Sequence, residues 1–425
     1  MTRTLLRNAR LLDPASGLDR RGDLLVSDGK ILAVAPSGAS AEAVIDCGGH
    51  CLAPGLVDMR AELGEPGHEH KETMASASAA AAAGGITTVV ALPNTAPPID
   101  DVALVEFVAR RAREIRGVRI RTYAAATRGL KGAEITEIGL LSAAGAVAFT
   151  DATRAIADAL VLRRALAYAR TFDALLVQHP EEQSLAAGGA MTEGETATRL
   201  GIPGITPAAE VMMVERDLRL VEITGARYHA AHVSTAAAIA AVRHAKECGL
   251  PVTCDTAPPY FALNETAVGE YRTFAKLSPP LRSEEDRRAV VAGLKDGTID
   301  AIASDHSPQP QDAKRLPFTS AAAGIIGLET MLPLTLELVH NGHLSLIEAL
   351  RVLSLRPAEI LRLPGGKLAE GAPADLVLFD PNRPRRIEVA EFRSKSKNSP
   401  FDGRPVQGVV LKTMVDGRLI FGAED

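Results

Sequence analysis

The sequence predicts an α/β protein built on a (β/α)8 TIM-type barrel, with a small β-sandwich assembled from both chain ends. Three observations carry this. From Gly55 to about Leu363, short apolar, β-rich runs alternate with Ala-rich or charged helical stretches, the pattern of parallel βα units. Eight such runs can be counted, the number that closes a barrel. Before Gly55 and after Leu363 the pattern changes to strand-like alternation, so the domains expected are residues 1–53 with 366–425, and residues 54–365.

At the N-terminal end, Thr4 to Leu12, Asp23 to Ser27 and Lys30 to Ala35 alternate in strand fashion between Asp13-Pro14 and Asp28-Gly29 turn signals. The expected barrel strands are Leu56–Ala61, Ile86–Leu92, Val118–Ala124, Ala146–Phe149, Leu175–Gln178, Ala226–Ala231, Pro251–Cys254 and Asp300–Ser304. The Ala79–Ala83 run reads as a close-packed helix, since alanine is the best helix former. Ala374–Phe379, Val409–Val415 and Arg418–Phe421 return to strand patterning and complete the sandwich.

Composition excludes several function classes. A chain of 425 residues with 46% hydrophobic residues has ample core, yet no apolar run approaches the ~20 residues of a membrane span, so a cytoplasmic protein is expected. The net charge of -5 creates no field for nucleic acid or an anionic membrane, and the absence of tryptophan argues against base-stacking platforms. The four cysteines, at 47, 51, 248 and 254, are expected as free thiols, because Cys47 and Cys51 have no second pair nearby to complete a zinc site.

Functional groups of such a barrel sit where strands give way to loops at the C-terminal face. Asp151 follows the fourth expected strand, His179 the fifth, His232 the sixth and Asp305 the eighth. Each is a residue type that binds divalent metal. One such histidine alone would read as a hydrogen-bonded core residue. Four metal-binding residue types at strand ends of one barrel point to a site.

The surrounding strings sharpen this reading: Pro54-Gly55-Leu56-Val57-Asp58, Gly64-Glu65-Pro66-Gly67, Ala91-Leu92-Pro93-Asn94-Thr95, His232-Val233-Ser234-Thr235, Ser278-Pro279-Pro280-Leu281-Arg282, Ser304-Asp305-His306-Ser307-Pro308 and Gly327-Leu328-Glu329-Thr330. Together they resemble the class I dihydroorotases of the amidohydrolase superfamily, over nearly the whole chain. The resemblance implies a binuclear zinc centre whose activated water interconverts carbamoyl aspartate and dihydroorotate, with an aspartate shuttling the proton. It assigns that role to Asp305, the metal-bridging role to Asp151, one metal's histidine pair to His179 and His232, and substrate contact to Asn94.

The same resemblance exposes departures. Where the family's first strand reads Asp-x-His-x-His-x-Arg-Glu-Pro-Gly, this chain has Arg60 and Glu62 in place of the histidines and Gly64 in place of the carboxylate-binding arginine. Strand side chains alternate, so Arg60 and Glu62 face the barrel mouth together, and a guanidinium cannot ligate metal. Ser278 replaces the family asparagine and Gln309 the family histidine, so the grip on the substrate carboxylate is weakened as well. His68-Glu69-His70 has ligand spacing but lies beyond the strand end.

The expectation is at most one zinc per chain, on Asp151, His179 and His232, or none, with Arg60 paired to Asp305 or Glu62 as the replacement cation. Three functions are compatible: a non-catalytic homologue of the pseudo-dihydroorotase kind supporting aspartate carbamoyltransferase, a one-metal hydrolase of another cyclic amide such as a hydantoin-like ring, and a dihydroorotase with unusual ligands. The first is preferred. A homo-oligomer is compatible with the sequence; nucleic acid and membrane partners are not expected.

Overall fold

The computed structural model describes residues 3–36, 38 and 40–422. Seven of the expected barrel positions are strands: Leu56–Ala61, Ile86–Ala91, Arg119–Thr122, Leu176–Gln178, Tyr228–Ala230, Val252–Thr256 and Ala301–Ile302. All pair in parallel. The fourth position, Ala146–Phe149, is reduced to bridges from Phe149 to Ala124 and Leu176. It still carries ladder bonds on both sides, Val147 N–H to the Thr122 carbonyl at 3.0 Å and Val177 N–H to the Phe149 carbonyl at 2.8 Å. A bridge between Ala61 and His306 joins the first strand to the segment after the eighth and closes the barrel.

Mostly buried runs build these strands, Ile86–Ala91 being buried throughout, whereas Arg119–Thr122 exposes Arg121. The alanine run lies within the helix Met74–Ala83, which starts at a capping box between Thr73 and Ser76. Its small side chains let the helix sit close: Gly84, just past its end, would place a Cβ 2.1 Å from the Leu328 carbonyl oxygen.

The two chain ends form one eight-stranded sheet. Its N-terminal strands include Arg3–Asp13, Leu18–Ser27, Lys30–Val34 and Cys51–Pro54; the C-terminal ones are Leu376–Arg386, Pro405–Val415 and Arg418–Phe421. The ends meet where Leu376–Phe379 runs antiparallel to Cys51–Pro54, one residue before the first barrel strand begins. Leu6, Leu11, Leu24, Ile31, Leu376 and Met414 pack there as a separate apolar core. None of the four cysteines forms a disulfide, and burial pushes Cys51 up to about 11. Among the described residues no helix is long and apolar enough to cross a membrane.

Candidate functional site

The residues that end the barrel strands share an unusual backbone. His232 and Asp305 lie in the left-handed region, at φ 38° and 48°, and so does Ala152 after the fourth strand, at φ 59°. L-residues are rarely stable there, so surrounding bonds must hold them. The His232 N–H donates to Asp255, whose other oxygen lies 3.0 Å from His229 Nε2. On the closing strand, Ser304 donates its N–H (2.8 Å) and hydroxyl to Asp58, which also accepts the Arg60 N–H at 3.2 Å. This carboxylate latches strand one to strand eight. Burial pushes Asp58 up to about 6 in spite of those donors.

Inside the mouth, charged side chains form a chain of contacts. Arg60 donates from Nε to Asp305 Oδ1 at 2.8 Å and from Nη2 to the Ala152 carbonyl at 3.3 Å. The other Asp305 oxygen lies 3.6 Å from His232 Nδ1, and His232 Nε2 shares a hydrogen with His179 Nδ1 at 2.8 Å. His179 Nε2 lies 3.7 Å from Glu181. The ion pair is deeply enclosed, with 3% of the Arg60 side chain and 13% of Asp305 exposed. Burial alone would raise the Asp305 carboxyl, but His232 and the Arg60 guanidinium outweigh it and hold it well below the usual carboxylate range. Burial and then Arg60 push His232 down, against the opposing pull of Asp305.

Of the two partners expected for Arg60, the structure selects Asp305. Glu62 instead accepts a hydrogen bond from the Ser307 hydroxyl at 2.8 Å. His68 and His70 lie beyond the strand end, their rings packed edge to face, and His68 lines a small pocket beside Glu62 and Asn94.

The three expected ligands are not gathered into one group. Asp151 does not join His179 and His232: its carboxylate accepts the backbone N–H of Thr127 at 2.9 Å and the Thr127 hydroxyl, bracing the loop after the third strand. The next residue, Ala152, shares the left-handed backbone of His232 and Asp305, and its carbonyl accepts from Arg60. Among the described residues, no group of three or more His, Cys, Asp or Glu side chains is arranged to hold a metal ion. With Asp151 turned away and a guanidinium on Asp305, the residues present do not fit the zinc centre that the fold family implies.

A cavity of about 350 Å³ opens onto Arg60 and Asp305 and is lined also by Glu62, Asn94, Ser278 and Gln309. The expected contact Asn94 and four of the five altered positions therefore meet in one place. The fifth, Gly64, does more than lack an arginine. Its φ is 74°, and a Cβ there would lie 2.1 Å from the Glu72 carbonyl oxygen, so no side chain fits without moving backbone.

Sequence reasoning missed Ala152, Asp255, the Asp58–Ser304 latch and Glu72. Glu72 is fully buried, 3.4 Å from His306, and accepts from the Ser76 and Ser394 hydroxyls and the Lys395 N–H. Against the opposing effect of burial, His306 and then the serine donors lower its carboxyl to about 2. Because the folded value is depressed below the ordinary 4.5, Glu72 stabilises the fold above that value and loses its contribution as pH falls from 4.5 towards 2. Glu72→Gln is expected to flatten the fall of unfolding free energy with acid in that window by roughly 3 kcal/mol. Urea titrations of both proteins at stepped pH measure it, and equal slopes would contradict the assignment.

A family model described as "Dihydro-orotase-like" matches residues 49–238, and one described as "Amidohydrolase family" matches residues 285–421. Among curated relatives, a dihydroorotase of Anaplasma phagocytophilum is 48% identical, the match covering 98% of this chain and 95% of that protein. A dihydroorotase of Syntrophus aciditrophicus is 44% identical over 98% and 99% of the two chains. Among solved structures, the L-hydantoinase (dihydropyrimidinase) of Arthrobacter aurescens superposes with a TM-score of 0.88 at 28% identity, covering 100% of this chain and 97% of that one. The dihydropyrimidinase of Brevibacillus agri gives 0.86 at 24% identity, over 99% and 95%, a likeness of fold.

Proposed function

The chain belongs to the dihydroorotase family, and from that premise we propose that it is a cytoplasmic member without dihydroorotase turnover, whose role in pyrimidine biosynthesis is to associate with aspartate carbamoyltransferase. One observation carries the proposal: Asp305, the aspartate a dihydroorotase needs for proton transfer, is held by the buried guanidinium of Arg60 at 2.8 Å. A carboxylate so paired is a poor base, because the cation stabilises its charged form. The closed space at Gly64 supports the same reading, since the substrate carboxylate has no arginine to grip it from that position. The one-metal hydrolase is less well supported, because its third ligand, Asp151, is bound to Thr127.

Association is the test of the proposed role. The purified chain, mixed with the aspartate carbamoyltransferase of the same organism, is expected to co-elute with it on size exclusion at micromolar concentration. Separate elution of the two folded proteins across that range would overturn the role.

A further inference from the structure

We infer that the chain carries an anion site outside the barrel mouth, a cleft between the helix Met331–His340 and the strands Leu376–Arg386 and Pro405–Val415 that takes a phosphate monoester of a small hydroxylated molecule. It is independent of how the barrel mouth is read, since the two cavities share no lining residue. The cleft has a volume of about 760 Å³, within the usual range of small-molecule sites. Three arginines line it, Arg385, Arg386 and Arg404, against a single carboxylate, Glu337.

Strand register brings two of the arginines to one side. Arg385 pairs with Val406 across the two strands, and the side chains of such a pair point the same way. Arg404 precedes Val406 by two residues and so shares that side. Gly408, two residues after Val406, shows what faces it: a Cβ there would lie 2.4 Å from the Leu336 side chain, in the helix. Both guanidiniums therefore enter the gap between sheet and helix. Arg386 alternates to the other side, yet it also lines the cleft and is exposed.

Their donors are only partly used. Glu337 takes Nε and Nη2 of Arg404 at 2.9 and 2.7 Å, which fixes that fork and leaves Nη1 uncommitted. Arg385 donates from Nη2 to the Glu329 carbonyl at 3.3 Å, while its Nε is buried without an acceptor. Among the described residues neither Arg385 nor Arg386 forms an ion pair. Burial pulls the Arg385 guanidinium below its ordinary value, and the charge of Glu329 opposes this only in part. Glu329 is a weak counter-charge, because burial pushes its own carboxyl up to about 7. A desolvated guanidinium short of counter-charge is what a bound anion completes.

Charge selects the ligand. Residues 383–404 hold seven basic side chains against three acidic ones in a chain of net charge -5, so the local field favours an anion. With Arg404 neutralised by Glu337, Arg385 and Arg386 leave an excess of about two charges, which suits a phosphate monoester better than a carboxylate. The negative end of the helix, at His340, opposes an anion within its last turn, so the phosphate belongs at the sheet wall. The amide side chains of Asn341 and Gln407 line the remaining volume and suit the hydroxyl groups of the organic part.

Isothermal titration calorimetry of the full-length protein at low ionic strength, with glucose 6-phosphate, inorganic phosphate, glucose and acetate, tests the site. Glucose 6-phosphate is expected to bind with a Kd below about 1 mM, inorganic phosphate more weakly, and glucose and acetate not measurably. Arg385→Gln and Arg386→Gln, each checked for folding by circular dichroism, are expected to weaken glucose 6-phosphate by at least about tenfold. Arg386 is exposed, so its variant keeps the test decisive even where Arg385→Gln does not fold. Arg219→Gln, at an exposed arginine on another face, and Lys71→Gln, in the barrel-mouth cavity, are expected to bind as wild type does. No saturable binding of either phosphate overturns the inference, as does an equal loss in Arg219→Gln. A loss in Lys71→Gln with Arg386→Gln unchanged overturns it too, and so does acetate binding as tightly as phosphate.

Discussion

Arg60→Ala is expected to lower the unfolding free energy by about 3–5 kcal/mol, the usual cost of removing one partner of a buried ion pair. The size follows from what is left behind. Asp305 would keep its enclosure and its contact with His232 but lose the guanidinium that helps to hold it ionised. The Ala152 carbonyl would lose its donor as well. In the variant the stranded carboxyl can escape part of the penalty by taking up a proton, so the deficit should shrink as pH falls through the carboxylate range. Replacing both partners, as in Arg60→Met with Asp305→Leu, should recover much of the loss, because two apolar side chains leave no orphaned charge. Urea denaturation of the single and double variants measures both effects. A single-variant loss under about 1 kcal/mol would mean that the pair behaves as a wet surface contact.

The second large effect is catalytic. Purified protein is expected to interconvert dihydroorotate and carbamoyl aspartate no faster than background, at least ~10⁴-fold below an active relative, because positioning and metal activation are lost together. Arg60 and Glu62 remove one set of ligands, Asp151 is committed to Thr127, and Asp305 is held by the guanidinium. Zinc should not rescue the wild type, since the carboxylate grip is missing independently: Gly64 has no room for a side chain, and Ser278 and Gln309 are uncharged. Assays in both directions, with zinc and with aspartate carbamoyltransferase added separately and together, check this. A zinc-dependent rate clearly above background would mean that the site tolerates these replacements.

How much of this was legible in the sequence depends on which physical rule was in force. Alternation along Asp58-Met59-Arg60-Ala61-Glu62 was enough to send Arg60 into the mouth, and an excess of carboxylates there narrowed its partner to Asp305 or Glu62, between which only the fold decides. Strand positions followed from short apolar runs, except that the fourth forms only bridges. The hydrogen bonds of Asp151 to Thr127 could not be foreseen, because they depend on how the loop after the third strand folds. An alanine in the left-handed region, as at Ala152, leaves no mark in hydrophobic period or residue type. The roles of Glu72 and Asp58 were equally hidden, since their partners, Ser394 and Ser304, lie far along the chain and only the folded barrel brings them close. The chain ends were more transparent, because strand alternation announces itself wherever one face is buried.

The pairing of Cys51–Pro54 with Leu376–Phe379 sets an order of events during synthesis. The first strands of the sheet leave the ribosome early, yet the neighbour that covers their edge is made only after the entire barrel. At ordinary elongation rates that interval is on the order of tens of seconds. Throughout it the nascent N-terminal segment carries an apolar face and an unpaired strand edge, the kind of surface that recruits chaperones or other copies of itself. A chain that stalls before Leu376 therefore releases a barrel with a sticky, half-built sheet, and quality control meets this protein first at its oldest residues.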